Sequence, residues 1–98
     1  MDIQKEKNGS SLYVAVSGRI DTVTAPRFDE SLKEDIDSLT ELTIDFKPLE
    51  YISSAGLRVL LMAQKQMNKQ GTMKIINVSE PIKEVFDLTG FSDILTIV

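Results

Sequence analysis

The chain has 98 residues, with 11 Lys+Arg against 15 Asp+Glu and a formal net charge of −4. Hydrophobic residues make up 42% and charged residues 27%, the balance of one ordinary globular domain, and a chain this short does not hold two. It contains no cysteine and no histidine. That excludes disulfides, a thiol nucleophile, thiolate or imidazole metal sites, iron–sulfur clusters and a Ser-His-Asp triad.

The longest apolar run, Val59 to Ala63, falls far short of the ~20 residues of a spanning helix. Met1 to Lys7 has no apolar stretch after its charges, so it does not read as a signal peptide. A cytoplasmic location is the expectation. Mild acidity without a Lys/Arg cluster argues against nucleic acid and anionic membrane as partners. An oxygen-ligand Mg²⁺ or Ca²⁺ site stays open in principle, but no cofactor or metal is expected.

Taken in chain order, strand and helix signals alternate. Ile3 to Lys7 reads as a short strand, and Asn8-Gly9 is a strong hairpin signal. Leu12 to Ser17 alternates Leu12, Val14 and Val16 against Tyr13, Ala15 and Ser17, so the first two strands pair antiparallel. Gly18 to Val23 reads as a loop. Thr24 can cap a helix with Pro26 in its first turn, and Ala25, Phe28, Leu32, Ile36 and Leu39 keep helical spacing. Leu42 to Phe46 is a third strand, and Lys47 to Ile52 a connection.

A second helix starts at Ser53 or Ser54, with Leu57, Leu60, Leu61 and Met67 as its buried stripe, Val59 and Met62 beside it, and Gly71 at its end. Met73 to Val78 is a fourth strand. Ser79-Glu80-Pro81 opens a short helix carrying Ile82, Val85, Phe86 and Thr89, and Gly90 stands where a left-handed cap is needed. Leu95 to Val98 reads as a last strand. The order β-β-α-β-α-β-α-β gives a single α/β domain over residues 1–98. Its sheet is mixed and mostly parallel, with an antiparallel first strand.

In such sheets, loops leaving the carboxyl ends of parallel strands build the sites. Two loops are nominated: one with Arg19, Asp21, Thr22 and Thr24, the other with Asp45, Tyr51, Ser53 and Ser54. A helix start leaves N–H groups free and carries the positive end of the dipole, so a phosphate on a serine there is stabilised. Ala55 and Gly56 leave room for a partner's active site. Each feature also has a plainer reading. Serine at a helix start can be only a cap, Asp21 only a turn residue, Gly56 a close-packing position and Arg58 a solvated charge.

The segment Leu42 to Leu60, with Asp45, Ser53-Ser54-Ala55-Gly56-Leu57 and a following helix, resembles the signature of the STAS domain family. More closely, it resembles free-standing bacterial anti-sigma factor antagonists. Ser17-Gly18-Arg19-Ile20-Asp21 and the helix from Thr24 and Pro26 match as well. The resemblance implies a STAS fold without enzymatic activity and a partner-switching function. The unphosphorylated domain would bind an anti-sigma factor serine kinase and free the sigma factor. Phosphorylation would release the domain, and a serine phosphatase would reset it.

Aligned on Gly56-Leu57, the family's phosphorylated serine falls on Ser54 and its site-lining aspartate on Asp21. The family commonly has Asp just before that serine. Here Ser53 stands there, which makes it the second choice for modification. Asp21, Thr22, Asp45, Ser53 and Gly56 are expected to line the site, and Arg19, Leu57, Arg58 and Leu61 to form the partner interface. Two rival readings are a hydrolase with Ser54 as nucleophile, and a non-phosphorylated scaffold or small-ligand sensor subunit of a signalling complex. The first lacks a visible general base and the Gly-x-Ser-x-Gly elbow.

Overall fold

The computed structural model describes residues 1–98. Gly9 adopts φ +62°, which a glycine takes without steric cost, and folds β1 (Asp2–Asn8) back on β2 (Ser11–Ile20). β2 is the central strand. It pairs antiparallel with β1 along one edge and parallel with β3 (Glu41–Asp45) along the other. β5 (Thr72–Ile76) adds in parallel outside β3.

The nominated last strand reduces to one parallel bridge, Ile97 to Ile75. A 3-10 turn at Phe91–Asp93 takes up the chain just before it. The mixed sheet with its antiparallel first pair matches the sequence reading, but two of its limits change. The strand β2 runs on to Ile20, because Gly18 at φ +81° admits a bulge that keeps the chain extended. Part of the expected Lys47–Ile52 connection is itself a strand, β4 (Leu49–Ile52), which pairs with β2 beyond that bulge.

Three helices complete the domain: α1 (Ala25–Lys33), α2 (Ser54–Gln70) and α3 (Glu80–Thr89). The first is shorter than its periodicity suggests, and a 3-10 turn at Ile36–Ser38 follows it. Ile36 and Leu39 are still buried, because the three-residue repeat of that turn keeps them on one side. Lys5 of β1 ties the region down by bonding Glu34, Asp35 and the Ser31 carbonyl. The core joins Val14, Ile44 and Ile75 of the sheet to Phe28 of α1, Leu60 and Met67 of α2, and Phe86 of α3, all fully buried. Burial of this apolar surface is the main stabilising force.

Candidate functional site

The two nominated loops meet where β2 and β4 end. Cα partners Arg19–Tyr51 and Ile20–Ile52 run in register, and the Ser53 N–H donates to the Ile20 carbonyl at 2.8 Å. The start of α2 is thereby fixed to the end of β2. Ser53 is the N-cap residue in extended conformation, and its Oγ accepts from the Gly56 N–H at 3.4 Å. Ser54, the first helical residue, is exposed while Ser53 is half-buried. The two hydroxyls therefore differ in role: one caps the helix and the other faces outward.

Gly56 is buried because α2 comes very close to the strand ends. A Cβ there would sit 2.6 Å from Ile20 Cγ2 and 2.7 Å from Ile52 Cγ1. This is the close-packing role weighed for the glycine above, and it explains how the serine pair can lie so near the sheet edge.

Asp21 lies in the turn before α1. Its Oδ1 accepts from the Val23 N–H and the Thr24 N–H at 3.0 Å, and from Thr24 Oγ1 at 3.1 Å. The Thr24 N–H in particular holds the carboxyl below its ordinary range, against burial, with the Thr24 hydroxyl, the Val23 N–H and Arg19 adding to the effect. Thr24 stands at the N-cap position, but its hydroxyl bonds back to Arg19 O and to the Asp21 N–H and carboxylate, so the turn is closed by Asp21. The Arg19 guanidinium is exposed and lies 4.2 Å from the centre of the Tyr51 ring.

A groove of about 290 Å³ runs between α1 and α2, and Ala55, the residue after Ser54, is among those that line it. Thr22, Ala25 and Pro26 line one wall, and Ala55, Arg58 and Met62 the other. Val23, 85% exposed, and Met62, 59% exposed, leave apolar surface on this side of the molecule.

Two expected residues do not belong here. Leu57 is 4% exposed and packs in the core, since the close approach at Gly56 turns it toward the sheet; it offers nothing to a partner. Asp45 is 8% exposed and bonds Tyr13, the Lys47 N–H and Asn77. It buttresses the β3–β4 turn on the sheet face away from the helices, opposite Ala15 in register. Leu61 is half-buried and does not line the groove, whereas Arg58 does. Val23 and Met62 are not in the interface set expected from the sequence; an apolar residue inside a turn and a methionine beside the buried stripe were the available signals.

A model of the STAS domain matches residues 2–98. The anti-sigma-B factor antagonist of Bacillus subtilis (strain 168) is 33% identical over 98 residues, covering 99% of this chain and 90% of that protein. Among solved structures, an anti-sigma factor antagonist from Mycobacterium paratuberculosis superposes with a TM-score of 0.88 at 26% identity, over 98% of this chain and 83% of that one. Unphosphorylated SpoIIAA, an anti-sigma factor antagonist, superposes at 0.84 over 99% and 88%; at 17% identity it speaks to the fold.

Proposed function

The chain belongs to the STAS domain family, and from that premise we propose that it is an anti-sigma factor antagonist that works by partner switching, a binding switch rather than a catalyst. Its unphosphorylated form docks on an anti-sigma factor that is also a serine kinase, and the sigma factor is set free. The kinase transfers the γ-phosphoryl group of ATP to Ser54: the Oγ–P bond forms, ADP leaves, and the hydroxyl proton passes to the kinase's base. A separate serine phosphatase hydrolyses the ester and restores docking.

The observation that carries this reading is the division of labour in the serine pair. Ser53 is occupied as the cap, whereas Ser54 is exposed and precedes Ala55, which lines the α1–α2 groove. A phosphate on Ser54 adds about −1.5 to −2 charges at neutral pH. In an interface formed with a neutral hydroxyl, this brings the cost of desolvating the added charge. Each 1.4 kcal/mol lost lowers affinity about tenfold, so no refolding is required.

The test is to incubate the purified protein with anti-sigma serine kinases and ATP, then locate the phosphate by mass spectrometry. Phosphate on Ser54 together with loss of the kinase complex is expected. A kinase complex that survives full phosphorylation of Ser54, or phosphate confined to Ser53, overturns the reading.

A further inference from the structure

Arg58 lies four residues after Ser54 on α2, one helical turn along. Side chains at i and i+4 are surface neighbours, with Cβ atoms about 5–6 Å apart. Helical side chains lean toward the helix N-terminus, so Arg58 covers the turn that carries Ser54. Both residues are exposed. The ion pairs of the molecule join Lys5, Lys7, Lys33 and Lys83 to carboxylates and leave the Arg58 guanidinium unengaged. It stands instead on the wall of the groove beside Ala55 and Met62.

The other charges facing this edge are committed. Asp21 Oδ1 closes the turn before α1, Asp29 across the groove pairs with Lys33 at 2.9 Å, and Arg19 is stacked on Tyr51. A guanidinium offers five donors in a planar fork that matches phosphate oxygens.

We propose that Arg58 is the built-in counter-ion of a phosphate on Ser54: once the ester forms, the guanidinium leaves the groove wall and binds the phosphate oxygens. The inference rests on the reading of Ser54 as the modified residue and adds its regulation. The modification then acts twice. It adds charge beside Ala55 at the start of α2, and it withdraws a cation from the groove's wall, so that charge and shape of the docking surface change together. The acidic group N-terminal to the basic one is also the favourable order for an i,i+4 pair.

The experiment loads the phosphate without a kinase, by genetically encoded phosphoserine at position 54, and titrates it by ³¹P NMR. A neighbouring cation favours the dianion, so the phosphoserine of the otherwise wild-type protein should titrate at lower pH than that of Arg58→Gln, by about half a unit or more. Arg19→Gln should leave the titration where it is. In parallel, the Met62 methyl resonance should move on going from serine to phosphoserine, and this movement should shrink in Arg58→Gln. Equal titration curves for wild type and Arg58→Gln overturn the proposal, as does a shift that follows Arg19. A kinase that fails to modify Ser54 would overturn the functional reading without touching this result.

Discussion

The Ser53 N–H is bonded to the carbonyl of Ile20 at 2.8 Å. With the pairing of β2 and β4 beside it, this contact links two loops that are remote in sequence. The turn that prepares α1 and the serines that open α2 thus share one sheet edge.

Ser54→Ala should keep the docking surface and lose the release step, so that the kinase complex persists in ATP. Ser54→Asp should bind at least tenfold more weakly, a loss of about 1.4 kcal/mol. Titration calorimetry against the kinase checks both; wild-type affinity in Ser54→Asp would contradict a charge-driven switch at this position.

The two serines should separate in stability. Ser53→Ala removes a cap whose hydrogen bond is long at 3.4 Å, and should cost about 0.5–1 kcal/mol. Ser54→Ala removes an exposed hydroxyl and should stay within about 0.5 kcal/mol of wild type. Urea unfolding of the two variants side by side measures the difference.

Gly56→Ala should destabilise by about 1–3 kcal/mol, because its Cβ would collide with Ile20 and Ile52 and push α2 away from the strand ends. The same displacement should lengthen the Ser53–Ile20 bond. Amide exchange at Ser53 should accelerate more than exchange in β1, which lies away from the collision.

Asp45 governs part of the acid stability. Burial pushes its carboxyl up, but hydrogen bonds from Tyr13, the Lys47 N–H and Asn77 outweigh burial and hold it below its ordinary value. A group depressed in the folded state contributes stability above its unfolded value, near pH 4, and loses it as pH falls through the folded value. The protein should therefore lose stability below about pH 4. Asp45→Asn should flatten part of that dependence, with Asp21, Asp35 and Asp87, also held low, supplying the rest. Urea midpoints at pH 7 and pH 3 test this.

Val23→Ser and Met62→Ser should each weaken kinase docking by about 1–2 kcal/mol while leaving thermal stability nearly unchanged, since both side chains are exposed in the free protein. A loss of Tm comparable to the loss of affinity would instead place them in the packing of the domain.

Much of this was legible from residue pattern. Asn8-Gly9 announced the hairpin, Leu12, Val14 and Val16 the buried face of β2, and Gly90 the left-handed end of α3. What escaped notice depends on contacts between distant segments. Leu49–Ile52 has its buried residues at the two ends and exposed ones between, so it shows no alternation; it becomes a strand only because Gly18 lets β2 continue beside it. Leu57 could have been core or interface on periodicity alone, and the approach of Ile20 and Ile52 to Gly56 decides for core. Asp45 was placed at the site because it ends a strand, but strand parity turns it to the opposite face, toward Tyr13 and Asn77.

The Asn8–Gly9 hairpin and the serine pair lie at opposite ends of β2. Ten residues of extended chain at about 3.3 Å each put them roughly 30 Å apart. With no native thiol in the chain, Asn8→Cys would give one unique attachment point for a dye or a sensor chip. Arrival and departure of the proposed partner could then be followed in real time from the end of β2 farthest from the serine pair.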